Sequence, residues 1–457
     1  MNFIDERRES SIPLRPIQTD TLSSWLETQP AAVKRWVESV GFEAGAGRSL
    51  AIPDEEGNIR EVLLGVSDSL WDWSTLPNEL PAHAYHIDSA LTRDESNCAA
   101  LGWALGTYRF DRMRASDNKK RGELAWPEGC DRSHVESTAR ATFLVRDLIN
   151  TPASHMGPAE LAESAKAVAD DGGATIHILV GDELLEKGYP AIHAVGRAAA
   201  TDRAPRLIDF TWGDAESPKV TLVGKGVCFD SGGLDLKPAA SMKIMKKDMG
   251  GGAHVLGLAS MIMDAKIPVR LRVLVPAVEN SVSSNALRPL DVVPTRKGIS
   301  IEIGHTDAEG RVILADALAE ASSDEPDLIV DFATLTGAAR VALGAELPAF
   351  YTNDDDVAGA LDKCGTHVSD PLWRMPLFKP YRKLIDGKVA DITNATDTAL
   401  GGSITAALFL QEFVEPEITW VHIDLMAWNT SSRPGRPEGG EAMGMRAVYA
   451  LIAERFT

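Results

Sequence analysis

Cysteine is scarce in this sequence, and its placement excludes two chemistries. Cys98, Cys130, Cys228 and Cys364 lie far apart with no CxxC pair, so they can build neither a thioredoxin-type dithiol nor a zinc knuckle, and the usage fits a reducing compartment. Long apolar runs are missing as well. The opening MNFIDERRES holds no hydrophobic stretch of a secretory signal, and the uncharged run 398–411 is too short and too rich in Gly and Thr to span a bilayer. A soluble, cytoplasmic protein without membrane partners is expected. Positive charge is also in deficit: 46 Lys and Arg against 66 Asp and Glu give a formal charge of −20, which argues against gripping a phosphate backbone. The one basic stretch, Arg109 to Arg121 with Arg112, Arg114, Lys119 and Lys120, reads as a solvated helix end and loop.

The familiar catalytic signatures are absent too. There is no GxSxG elbow, GxxxxGK[ST] loop, HExxH or GxGxxG, so serine-hydrolase and nucleotide-binding readings lose most of their support. The ten histidines are scattered, with His83 and His86 the only close pair, inside a strand-like run. A metal site here would therefore rest mainly on oxygen ligands.

What is present is an ordinary globular composition, 44% hydrophobic and 25% charged over 457 residues, enough for two domains. Residues 1–130 mix short strands and helices: 51–66 read as a hairpin across EEGN, 82–87 as a strand and 94–110 as a helix. A helix-spaced apolar pattern from 131 to 149 stops at Asn150-Thr151-Pro152, and 131–152 is read as a linker helix. From 153 to 457 the pattern is regular. Apolar runs at 174–181, 206–212, 219–226, 269–278, 327–335 and 418–426 read as buried strands, separated by helices that include 251–265, 310–322 and 402–414. The fold class is α/β: a mainly parallel mixed sheet sandwiched by helices, with a smaller N-terminal α/β domain and a site at the carboxyl ends of the strands.

Two segments sit at such ends. The first, Val223 to Gly252, packs Lys225, Asp230, Asp235, Lys237, Lys243, Lys246, Lys247 and Asp248 among glycines. In the second, Gly304 to Leu318, Asp307, Glu309 and Arg311 alternate before a helical run. Each alone has a plain reading, a solvated loop and an N-capped helix. Together their carboxylates form the set that two divalent cations need, and such a cluster must be neutralised by metal or by the interleaved lysines.

At these residues the sequence resembles the cytosol (leucyl) aminopeptidase family of dinuclear zinc exopeptidases. TDAEGR at 306–311, GKGVCFDSGG at 224–233 and KKDMGG at 246–251 match its metal-binding stretches, and LINTP, RPLDVV, TLTG and GGSITAALFLQEF follow in family order. The resemblance implies metal ligands Lys225, Asp230, Asp248, Asp307 and Glu309, with Asp230 and Glu309 bridging two ions (zinc or manganese, with magnesium or cobalt as candidates at one site). It implies Lys237 and Arg311 as the catalytic residues that are not ligands, Arg311 holding a bicarbonate. Met245, Thr334, Leu335 and Gly337 would line the pocket for the first side chain. The implied activity is removal of an N-terminal residue, apolar and leucine-like, from peptides with a free N-terminus, by a homohexamer that does not engage nucleic acid. Lys225 would have to be uncharged to ligate. His422 and Asp424 are open between support of the site and sheet packing.

Three departures stand out. His305 replaces an Asn of the signature, Leu290 replaces a Gly, and HIDLMAWN at 422–429 differs from the family's pattern. The rivals are a DNA-binding architectural role on the same fold and a dinuclear phosphoesterase.

Overall fold

The computed structural model describes residues 1–67, 69–113 and 120–457, so Arg114 and Lys119 of the basic stretch lie outside the described residues. The chain divides into two compact units, Met1–Phe143 with Ser431–Glu438, and Leu144–Thr430 with Gly439–Thr457. The division falls inside the helix Arg132–Asn150, and a short late segment is grouped with the first unit.

In the first unit, β1 (Phe3–Ile4), β2 (Ile12–Ile17), β3 (Ser49–Pro53), β4 (Ile59–Gly65), β5 (Ala84–Ile87) and β6 (Glu123–Ala125) form a sheet ordered β1-β6-β5-β2-β4-β3. Only the β3/β4 hairpin is antiparallel. The helix Arg93–Gly106 starts on a capping box, Thr92 with Glu95, and buries Trp103 against β2, β4 and β5. The segment 431–438 belongs here through contacts such as the Arg436 guanidinium, 4.3 Å from the Trp71 ring centre.

The second unit is built on β7 (Thr175–Val180), β8 (Arg206–Trp212), β9 (Lys219–Gly224), β10 (Gly226–Asp230), β11 (Arg270–Asn280), β12 (Val292–Val293), β13 (Ile301–Glu302), β14 (Leu328–Ala333), β15 (Ala349–Thr352), β16 (Trp373–Arg374), β17 (Ile392–Thr393) and β18 (Trp420–Asp424). Nine of these make one sheet, ordered β16-β15-β18-β14-β9-β11-β8-β7 with β10 on β11. Its centre, β18, β14, β9 and β11, is parallel, whereas β15 runs against β18, and β8 against both β11 and β7. The parallel strands are buried on both faces, every residue of LIVDFA and WVHID included, which is why they appear in sequence as unbroken apolar runs.

Two groups of helices cover the sheet. Pro158–Gly172, Gly250–Asp264 and Met445–Phe456 pack together, as do Pro190–Gly196, Glu309–Ser323 and Gly402–Gln411. Sequence reading joins 219–226 into one strand. The structure instead breaks it at Lys225 and starts β10 at Gly226, moving from β9's partners to the edge of β11. No helix among the described residues is long and apolar enough to cross a membrane.

Candidate metal centre

The break at Lys225 is the first step in assembling the site. Leaving β9, Lys225 turns its side chain inward while its own N–H donates to the Phe332 carbonyl at 3.0 Å. β10 then delivers Asp230 opposite Asn280 in register with β11. A short helical turn, Met245–Met249, presents Asp248, and the loop 304–308 presents Asp307 just ahead of Glu309 at the start of its helix. All lie beyond the carboxyl ends of the parallel strands, where α/β sheets place their ligands.

Among the described residues, Asp230, Asp307 and Glu309 bring one oxygen each to within 4.8 Å of one another. Lys225 Nζ lies 2.7 Å from Asp248 Oδ2 and 2.9 Å from Glu309 Oε1. Lys237 Nζ lies 2.7 Å from Asp230 Oδ2 and also pairs with Asp307 Oδ1. These contacts neutralise the cluster without satisfying it: Asp307 Oδ1 and both Glu309 oxygens are buried with no partner in hydrogen-bond geometry. Buried acceptors left open in this way suit a cation better than a lysine proton. The donor set, hard oxygens with one amine, fits divalent metal.

The electrostatics follow from burial. Desolvation, with Asp230 close by, pushes the Glu309 carboxyl up to about 8. Desolvation and Asp248 likewise raise Asp230 to about 6, against the pull of Lys237 and Lys225. Burial opposes ionisation of Asp248, but Lys225 and Lys247 outweigh it and draw its pKa to about 2. Burial also opposes charge on Lys225, yet Asp248, Glu309 and Asp230 hold it as an ammonium with its pKa above the ordinary lysine value. The neutral amine that ligation requires is favoured only beside a bound cation.

Further residues frame this cluster, and Asn280 and Asn394 among them carry no signal in the sequence. Asn280 Nδ2 donates to Asp230 Oδ1 at 2.9 Å and to the Thr306 carbonyl at 3.2 Å. Thr306 N–H donates to Asp235 Oδ2, and Asp235 N–H donates back to Thr306 Oγ1, both at 2.8 Å, so the two acidic loops are tied reciprocally. Asn394, 1% exposed, accepts from Gly304 N–H and donates to the carbonyls of His305 and Ala308. Gly310 is required by proximity, since a Cβ there would lie 2.4 Å from Lys225 Cε.

With this geometry in view, the comparisons with known proteins are decisive. Residues 143–449 match the family model described as cytosol aminopeptidase family, catalytic domain, and residues 12–127 match that of the M17 aminopeptidase N-terminal domain. The chain belongs to the cytosol aminopeptidase family. A probable cytosol aminopeptidase of Syntrophotalea carbinolica is 39% identical over 370 residues, 77% of this chain and 74% of that one. Its counterpart in Rhodococcus jostii is 37% identical over 389 residues, covering 80% and 76%. The crystal structure of cytosol aminopeptidase from Coxiella burnetii superposes with a TM-score of 0.95 at 49% identity, covering 100% of this chain and 99% of that one. The bottromycin maturation enzyme BotP in complex with Mn gives 0.87 at 32% identity, covering 98% and 100%.

In this aminopeptidase the remaining expected residues fall as follows. Arg311 is buried in the first turn of its helix, 6.0 Å from the Phe409 ring centre, and has no ion-pair partner among the described residues. Burial lowers its pKa to about 10. Thr334 Oγ1 lies 2.8 Å from Asp248 Oδ1, and Met245 is buried on the same turn as Asp248. Leu335 and Thr336 donate their N–H groups to Asp424 Oδ1 at 3.1 Å, so Asp424 pins the loop that leads to the exposed Gly337. His422 packs in the sheet, its Nδ1 2.6 Å from Asp331 Oδ1. The departures also find physical accounts. His305 Nδ1 accepts from Asp307 N–H at 3.1 Å, an acceptor that an Asn side chain could equally supply. Leu290 sits at φ +71°, a conformation suited to glycine. In the 422–429 stretch, Asn429 is buried and donates to Glu441 Oε2 at 2.7 Å.

Proposed function

We propose that this chain is a metal-dependent aminopeptidase whose dinuclear centre would be held by Lys225, Asp230, Asp248, Asp307 and Glu309. The observation that carries the reading is the convergence of three carboxylates within 4.8 Å, with buried oxygens left open. Zinc or manganese fits this donor set best, and the similarity to BotP, whose structure is a complex with Mn, supports the latter. When bound, the two cations polarise the scissile carbonyl and acidify a water.

The chain's own residues supply the rest. Asn280 and the Gly232 N–H, each donating to Asp230 Oδ1 at 2.9 and 2.8 Å, fix that carboxylate's orientation. Lys225, held as an ammonium by Asp248, Glu309 and Asp230, would have to give up its proton to serve as a ligand. Lys237 is the more accessible lysine, its side chain 12% exposed against 3% for Lys225. It is held charged by Asp230 and Glu309 despite burial, which suits it to donate to the oxyanion formed on hydration of the peptide carbonyl. Arg311 stays protonated at any working pH and is no base. Its buried guanidinium, with no ion-pair partner among the described residues, would instead hold an anion such as bicarbonate, a group able to carry protons near neutral pH. The peptide enters with its α-amine free and neutral, which favours unblocked N-termini and mildly alkaline pH. A hexamer and a cytoplasmic setting belong to the same proposal.

The test is hydrolysis of a panel of L-aminoacyl p-nitroanilides by the full chain. Activity is expected to vanish with chelator, return with zinc or manganese, fall by at least about 100-fold in Asp307→Asn, and be absent on acetylated substrates. Full activity in metal-stripped protein overturns the reading.

A further inference from the structure

The sequence leaves Asp424 open between support of the site and sheet packing, and its contacts decide the matter. It ends β18 opposite Ala333, the last residue of the parallel strand β14, so it stands beside the loop 334–336 where that loop leaves the sheet. It is 2% exposed, and both its oxygens are spent on that loop. Oδ1 accepts the N–H groups of Leu335 and Thr336, each at 3.1 Å, and Oδ2 accepts from Thr336 Oγ1 at 2.5 Å. Thr336 Oγ1 in turn accepts from Ala339 N–H at 3.0 Å and caps the helix Gly337–Leu343. Burying a charge is costly, but hydrogen bonds to a carboxylate are stronger than neutral ones. Asp424 therefore holds this loop more firmly than sheet packing would require.

The same loop touches two of the proposed ligands. The Thr334 carbonyl accepts from Lys225 Nζ at 3.1 Å, and Thr334 Oγ1 lies 2.8 Å from Asp248 Oδ1. Thr334 is one peptide bond from the residues that Asp424 fixes. Because hydrogen bonds of this kind fail when stretched much beyond 3.2 Å, a shift of the loop by about an ångström would release both side chains.

We propose that Asp424 is a positioning residue of the metal centre, holding the loop 334–336 so that Thr334 fixes Lys225 and Asp248 where they can ligate. This rests on the metal-dependent reading and adds to it a residue that bonds to neither ligand. Charge offers a competing account, since Asp424 also favours the positive charge of Arg311. The two accounts part at Asp424→Asn, which keeps an acceptor for both N–H groups and removes the charge.

The full chain is stripped, and its affinity for zinc and for manganese is measured by competition with a chromogenic chelator, with the fold followed by circular dichroism. Asp424→Ala is expected to weaken binding about 10- to 100-fold, and Asp424→Asn to recover most of that loss. Thr336→Val, which removes only the hydroxyl link, should weaken binding to a smaller extent, and it decides the matter if Asp424→Ala does not fold. Asp370→Ala controls for a general loss of stability. That carboxylate is also buried and accepts two backbone N–H groups, of Gly444 and Arg446, at 2.9 Å, and its removal should leave metal affinity unchanged. Affinity unmoved in the folded variants of Asp424 and Thr336, a loss in Asp424→Asn equal to that in Asp424→Ala, or the same loss in Asp370→Ala overturns the positioning role and leaves the metal centre standing. A parent chain that binds neither ion overturns the centre and this proposal with it.

Discussion

Asn280 shows how single side chains decide the quality of the centre. It carries no charge, yet its amide fixes one oxygen of Asp230 and ties β11 to the Thr306 loop. Asn280→Ala should weaken metal binding about 10- to 100-fold, read by competition against a chromogenic chelator, with the fold retained by circular dichroism. Leu290 offers the opposite kind of test. An L-residue in the left-handed region costs about 1–2 kcal/mol, whereas glycine carries about 0.5–1 kcal/mol of chain entropy. At φ +71° and 69% exposed, Leu290→Gly should raise stability by roughly 0.5–1 kcal/mol in urea titration. The carboxylates and Lys225 proposed as ligands are legible in the sequence because they cluster in two short segments among glycines. Asn280, Asn394 and Gly310 are not, since each is one ordinary residue whose role exists only once distant segments meet.

Among the elements, the helix Gly250–Asp264 lends itself to a pH experiment. His254 Nδ1 bonds the Gly250 carbonyl at 2.6 Å, and its Nε2 accepts from Met443 N–H at 2.8 Å, linking this helix to the chain ahead of the last one. Burial lowers its pKa to about 4 from 6.5. A base depressed in the folded state takes up its proton first in the unfolded chain, so its contribution is intact above pH 6.5 and fades as pH falls towards 4, by up to about 3 kcal/mol. Denaturation series at pH 7, 6 and 5 should show that slope, and His254→Gln should flatten it. The central strands and these helices are readable in sequence because full burial writes long apolar runs. β10 and β15 are not: GVCFD continues the run of β9 without a break signal, and four residues of β15 are too few to show a period.

For the molecule as a whole, a formal charge of −20 sets a field that any acidic peptide must cross before it meets local cations. Salt shortens that field to a Debye length of about 10 Å at 0.1 M but screens buried pairs less. For peptides rich in acidic residues, kcat/KM should therefore rise between 0.01 and 0.1 M salt, while that of neutral peptides stays level. Stopped assays across this series check it.

The late stretch 431–438, grouped with the first unit by contacts such as Arg436 on Trp71, bears on how the protein can be dissected. A gene fragment ending at residue 143 omits a piece of the very body it is meant to encode, and one starting at 144 carries that piece along as an orphan. Anyone wishing to study either half alone must splice across the gap, because no single cut yields both.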